Sequence, residues 1–334
     1  MAVALTPGPP PASDDGPRTI VASISLGDRI FRNLLRAAGL TVFVITGLIL
    51  IFLVLRSLTA FRAVGFRFFT TQSWFISTNQ FGIAAILPLG VLIALIALLI
   101  AVPVGLATAL FISEYAPPRL RRSLIALIDL MAAIPSIIVA LFGLYFVMPR
   151  ILGFCAWLSH HLGFIPVIHN RMPNFPASWV GSTFIAGVMV SVMVIPIITS
   201  LSRQVFSQAP QGEREAAYAL GSTKWGMIRT VVLPYGRAGV IGASMLGLGR
   251  ALGETIVVSF IITPPLFLFN WHVLESGGNS VTFMIATHIL QGGPKEISAL
   301  MAAGLVLFAM TLLINTIAAI IINRSRSGAT ASAD

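Results

Sequence analysis

Six stretches of this chain are long and apolar enough to cross a lipid bilayer, and no other feature restricts its fold as much. A spanning helix needs about 20 mostly apolar residues, because hydrocarbon offers no water to an unpaired peptide group. The stretches are Ala37–Leu55, Ala84–Ile112, Leu124–Met148, Trp179–Leu201, Ala238–Ile262 and Ile297–Ile322. The third contains Asp129, the fifth contains Arg250 and Glu254, and the other four are free of charge. Composition agrees. Of 334 residues, 10% are charged, against roughly 25% in a soluble domain. Eleven acids and 21 bases cannot cover a water-soluble globule of this length, which excludes a soluble enzyme. A mean hydropathy of +0.94 excludes a disordered chain. One cysteine, Cys155, leaves no intrachain disulfide or cysteine zinc cluster. The fold expected is all-α, a polytopic membrane protein with six transmembrane helices.

Basic residues set the direction of the spans. With the N-terminus inside, 14 Lys and Arg fall in the inner segments and six in the outer ones, Arg250 being left over. That bias predicts a multi-pass membrane protein with both termini in the cytoplasm, and it assigns the net charge of +10 to the bilayer surface rather than to nucleic acid. Three regions are expected. Residues 1–36 form a cytoplasmic tail ending in an interfacial helix, Ser25–Ala38, with Phe31, Leu34 and Leu35 opposite Arg29, Arg32 and Arg36. Residues 37–322 form the transmembrane domain, and 323–334 a second cytoplasmic tail. Arg56 after the first span is no small-residue cleavage site, so that span is read as retained. Pro103, Pro135 and Pro196 are expected to kink their helices. The outer loops Arg56–Ile83, Pro149–Ser178 and Thr263–Glu296 carry interfacial aromatics such as Trp74, Trp157 and Trp271.

The segment 203–237 is not a plain linker. Pro210 suits a first helical turn, and Glu213 and Glu215 suit a helix N-terminus. Gly221 suits a left-handed closing residue, Ser222 or Thr223 can cap a second helix, and Pro234 is expected to end it. A helical hairpin between two spans offers a rigid contact for a cytoplasmic partner. Glu215-Ala216-Ala217, then Gly221, then Val231-x-Leu233-Pro234 resembles the EAA loop of ABC importer permeases, with Val231 in the place of Ile. Ser113-Glu114-Tyr115-Ala116-Pro117-Pro118, Ala133-Ile134-Pro135-Ser136 and Gly247-Leu248-Gly249-Arg250-Ala251-Leu252-Gly253-Glu254-Thr255 resemble the permeases of phosphate importers, the last run their C-type subunit. The likeness covers about Phe81 to Arg324. Asp129 departs from it, standing where that family more often has Glu.

Arg250 and Glu254 need a reason to be in a span. An ionisable group at mid-helix costs about 2.5–3.5 kcal/mol on the insertion scale. Four residues apart on one helix, they are expected to reach each other, with Gly249 and Gly253 allowing close helix approach. Two readings stand: Arg250 meets an anionic substrate through its fork of donors, or the two charges form a structural pair. Asp129 either joins the pathway or pairs with a basic residue such as Arg122. Neither Lys224 nor Lys295 follows Gly, so no Walker A loop is present. The resemblance implies a type I ABC importer permease of the plasma (inner) membrane, a transport subunit rather than an enzyme. Its substrate pathway would include Arg250, Glu254 and Asp129, and its ATPase-coupling loop Glu215, Ala216, Ala217, Gly221, Leu233 and Pro234. The implied partners are an A-type phosphate permease subunit, two ATP-binding subunits that hold ATP and Mg, and an external phosphate-binding protein, with inorganic phosphate as substrate. This chain would hold no cofactor or metal. A permease for sulfate or molybdate remains open. An ion-coupled secondary transporter would use the three charges as a relay, but it leaves the hairpin unexplained. An intramembrane enzyme lacks a nucleophile-and-base set.

Overall fold

The computed structural model describes residues 26–262 and 267–330, with side chains as far as Ile322. The tail expected over 1–36 therefore lies mostly outside the described residues, as do the tail beyond 330 and Ser25. The chain divides into two compact units, Met1–Leu50 and Ile51–Asp334. The described part of the first unit is one helical stretch. It belongs to α1, Leu26–Val64, so the interfacial helix and the first span form one helix rather than two.

The second unit holds the other spans. They are α2 (Leu87–Tyr115), α4 (Ser136–Leu162), α5 (Thr183–Ser207), α7 (Lys224–Gly253) and α10 (Pro294–Thr330), the last apolar as far as Ile322. Between them lie α3 (Pro118–Ala132), α6 (Gln211–Ala219), α8 (Ile256–Ile261) and α9 (Val281–His288). Among the described residues the sheet content is one short hairpin, Trp74–Phe75 with Gln80–Phe81, antiparallel with Trp74 opposite Phe81. Trp74 is buried there, with its ring edge-on to Phe81.

Helix α5 is the centre of the bundle, and most of its apolar window is buried. Its closest neighbour is α2. A Cβ on Gly187 would stand 2.6 Å from Ile96, so only glycine lets the two backbones approach this far. Ile93, Ala97, Met189, Val194 and Ile198 fill the seam. A second cluster, with Phe68, Phe81, Ile86, Met284 and Leu300, closes one end of the bundle. A third, with Phe206, Met227, Ile228 and Val232, closes the end that carries α6. Pro103 and Pro196 sit inside α2 and α5 without ending them.

Two boundaries correct the expectation. The third span is Ser136–Leu162, not Leu124–Met148. Pro135 has no N–H to give, and it steers Ile134 out of helical geometry, so α3 stops at Ala132 and a new helix starts at Ser136. Asp129 therefore lies on α3, outside the six helices long and apolar enough to cross a membrane. The fifth span does not run unbroken from Ala238 to Ile262. Helix α7 starts in the hairpin at Lys224 and ends at Gly253; Glu254 is extended, with ψ 124°. Pro234 does not end a helix. It follows a wide turn, Ile228–Val232, in which the i→i+5 spacing absorbs the missing donor.

Candidate functional site

The hairpin is built as its residues require. Pro210 precedes α6, and Glu213 occupies the first turn, where a carboxylate favours the helix dipole. Gly221 has φ +81°, a left-handed conformation that a β-branched side chain resists. Its N–H donates to Tyr218 O at 2.9 Å, and Ser222 N–H to Ala217 O at 3.1 Å, closing the end of α6. Thr223 Oγ1 then accepts the Gly226 N–H at 3.1 Å and caps α7. Glu215, Ala216 and Leu220 face outward, with Leu220 87% exposed and Trp225 exposed beside it. Leu233 and Pro234 lie on α7 behind this turn.

The sequence reading missed what holds the hairpin. Arg214 stands between Glu213 and Glu215 in the chain but points the other way. Its Nη1 donates to Glu114 Oε2 at 2.7 Å, its Nη2 to Phe206 O at 2.7 Å and its Nε to Ala209 O at 3.2 Å. Only 4% of the Glu114 side chain is exposed, and Ser113 Oγ donates to its other oxygen at 2.7 Å. Glu114 sits in the wide last turn of α2, Phe111–Tyr115, so the pair joins α2 to α6 directly. Lys224 Nζ lies 4.5 Å from the centre of the Tyr115 ring and ties α2 to the start of α7 as well. Around them is a polar cleft of about 390 Å³ that Arg121, Glu215 and Tyr218 also line. The only hint in the sequence was Glu114 within the Ser113–Pro118 motif.

Arg250 is arranged in the opposite way. It lies exposed on α7 and lines an open groove of about 430 Å³ with Met245, Leu246 and Gly249. Ile197 of α5 and Asn315 of α10 complete the lining. Among the described residues Arg250 has no hydrogen-bond or ion-pair partner. The expected pair with Glu254 is not formed, because the helix that would bring them together ends between them. Glu254 Oε1 instead accepts the Val257 N–H at 3.3 Å, and its carbonyl accepts from Thr282 Oγ1 at 3.0 Å. Gly249 and Gly253 serve no close helix contact among the described residues: a Cβ on either would meet nothing within 4 Å. Asp129 is exposed on α3 and, among the described residues, pairs neither with Arg122 nor with any other base.

At the end of the bundle away from the hairpin, two loops are clasped. Arg171 Nε and Nη2 donate to the two oxygens of Glu275 at 2.9 and 2.7 Å, and Arg171 N–H adds a bond at 2.8 Å. Asn270 Nδ2 donates to Glu275 Oε2 at 2.8 Å. Burial works to raise the Glu275 carboxyl, but the hydrogen bonds from Arg171 and Asn270 outweigh it and bring the group down to about 2.

Against known proteins, residues 101–327 match the family described as binding-protein-dependent transport system inner membrane component. A Mycobacterium tuberculosis protein named phosphate transport system permease protein PstC 2 is 39% identical over 295 residues, covering 87% of this chain and 90% of that protein. A Mesorhizobium japonicum protein named phosphate transport system permease protein PstC is 36% identical over 321 residues, covering 92% and 94%. In shape, the chain resembles one from the crystal structure of a bacterial ABC transporter involved in the import of the acidic polysaccharide alginate. The TM-score is 0.59 at 19% identity, over 90% of this chain and 98% of that one. A six-span helical bundle with a capped hairpin between its fourth and fifth spans is thus matched in sequence over most of its length, and the chain belongs to the family of binding-protein-dependent transport system inner membrane components, the permease subunits of ABC importers.

Proposed function

We propose that this permease carries inorganic phosphate into the cell, past Arg250. The observation that carries the reading is a guanidinium within a membrane span that has no partner among the described residues. A cation so placed needs an anion or water that the described residues do not supply. A guanidinium suits a tetrahedral oxyanion, offering paired donors to neighbouring oxygens. The names of the relatives, at 36–39% identity, favour phosphate among such anions. Glu254 stands at the break beyond Arg250, where its carboxylate holds the start of α8; we assign it to shaping the path rather than to touching the anion. Asp129, outside the spans, has no place in this path.

An ABC importer permease works with ATPase and binding-protein partners. The finer composition proposed here is an A-type permease facing the groove, two ATPase subunits holding ATP and Mg at the hairpin, and an external phosphate-binding protein. The excess of Lys and Arg on the hairpin side supports that side, and both termini, being cytoplasmic. Coupling follows from continuity. Helix α7 has 30 residues and holds both the second arm of the hairpin and Arg250, a rigid span of about 45 Å. When ATP draws the ATPases together, a tilt of the hairpin reaches the groove along one helix.

The test is uptake by the reconstituted complex, with ATP enclosed in the vesicle and the binding protein outside. Arg250→Gln should lower phosphate uptake by about a hundredfold or more, the scale of a lost contact to a desolvated charge. The assembled complex should still copurify. Normal uptake by that variant would remove the path from α7, and a complex whose wild type carries sulfate or molybdate in place of phosphate would move the substrate to another oxyanion.

A further inference from the structure

We infer that Asn315 of α10 is a second ligand of the transported anion, its carboxamide donating to an oxyanion oxygen and accepting from a protonated one. This rests on the groove at Arg250 being the substrate path. Asn315 stands in the apolar run Leu312-Leu313-Ile314-Asn315-Thr316-Ile317, within the sixth span. The hydroxyls near it look after themselves: Thr311 Oγ1 donates to Phe308 O and Thr316 Oγ1 to Leu312 O, both at 2.8 Å. A carboxamide has two donors and an acceptor oxygen and cannot be satisfied that way. Among the described residues Asn315 has no partner, yet it is exposed within a membrane span. Leaving an amide unpaired in hydrocarbon is costly.

Arg250 shows the same defect, and the two side chains line the same groove. The other lining residues are Ile197, Met245, Leu246 and Gly249, none of which offers a polar side chain. An apolar cavity with a few convergent polar groups is the usual form of a small-ligand site. Here Arg250 is the only charged group in the lining, so the ligand is an anion, and a neutral amide adds hydrogen bonds without adding a second charge. That suits a transit site, which must hold its cargo weakly enough to let it go. Near neutral pH phosphate retains a proton, so an amide that both donates and accepts matches both kinds of its oxygens. Glu254 does not line this groove, and its Oε1 accepts the Val257 N–H at the start of α8.

The experiment measures binding of radiolabelled inorganic phosphate to the purified whole complex without the external binding protein, followed by uptake with it. Asn315→Leu should weaken phosphate binding and slow uptake by about tenfold, the loss of one hydrogen bond to a charged group. Asn315→Gln should recover part of both. The isosteric Asn315→Asp should be worse than Leu, because a carboxylate repels the anion. Copurification of the ATPase should be unchanged throughout. An amide that merely faced lipid would tolerate Leu, so wild-type phosphate binding by Asn315→Leu overturns the inference. If that variant fails to assemble, undiminished binding by Asn315→Asp does the same. Normal Asn315 variants beside an inactive Arg250→Gln would remove Asn315 and leave the path; a normal Arg250→Gln would remove both.

Discussion

Arg214 and Arg250 are the same residue type put to opposite uses. Arg214 spends its donors within the chain, on a carboxylate and two carbonyls, and is mostly buried. Arg250 spends none and stands exposed on an apolar helix. A satisfied buried ion pair fixes one geometry and resists change, since removing either partner strands the other charge. An unsatisfied cation in a span is stable only with something brought from outside. The hairpin end is therefore a strut, and under the proposed function the groove is the place that receives the anion. The two are joined by α7, which is why a change in one can be felt at the other.

The comparison breaks most sharply on stability. Arg214→Ala leaves Glu114 buried without its cation and should cost about 3–5 kcal/mol. The measurement is thermal unfolding of the detergent-purified chain, with loss of ATPase copurification beside it. Arg250→Ala should change the unfolding free energy by no more than about 0.5 kcal/mol, as for a surface position, while abolishing transport. If the two variants lost equal stability, the contrast between strut and open site would be wrong.

A smaller effect tests the turn that aims the hairpin. Gly221→Val must hold a β-branched residue at φ +81°, at a cost of about 1–2 kcal/mol. Space is not the obstacle, for a Cβ there meets nothing within 4 Å. Gly221→Asn, which tolerates left-handed backbone, should lose clearly less. The readout is the ATP-dependent uptake rate at matched amounts of inserted protein, and equal rates for Val, Asn and Gly would show that the turn geometry does not matter.

The smallest effect expected near neutral pH lies in the loop clasp, a paired site like Arg214 but at the surface, with the Arg171 side chain 57% exposed. The Glu275 carboxyl is lowered in the folded chain, so its contribution is whole above its ordinary value of 4.5 and fades as the pH falls from there toward about 2. Glu275→Gln should therefore flatten the loss of stability between pH 4.5 and about 2 and be nearly silent on uptake at neutral pH. Thermal unfolding followed from pH 7 downward checks it; wild-type and variant curves that run parallel would mean the clasp stores no pH-dependent energy.

Most of the bundle was legible because hydrophobic runs report a bilayer directly. Five of the six spans fell largely where the runs put them, and the hairpin followed from local rules: a proline before a helix, a glycine at positive φ, a threonine cap. Those signals act within a few residues of where they are written. The third span was misplaced because α3 is apolar enough on one face to extend the run, whereas Pro135 decides the break. Pro234 misled in the other direction, since a wide turn can absorb a proline that a regular helix would not.

What the sequence alone determined was an all-helical membrane chain, with a turn and caps fixed by residues that neighbour one another. It also named Arg250 as a charge that needed explaining. The partners of the charges were decided only by the tertiary structure. Spacing of four residues predicted Arg250 with Glu254, but one helix end separates them, whereas Arg214 and Glu114 meet across 100 positions of sequence. Asn315 was one polar letter in an apolar span until packing put it beside Arg250's groove. Side chains far apart in the chain meet only when helices pack, and no local pattern records which of them will be left unsatisfied.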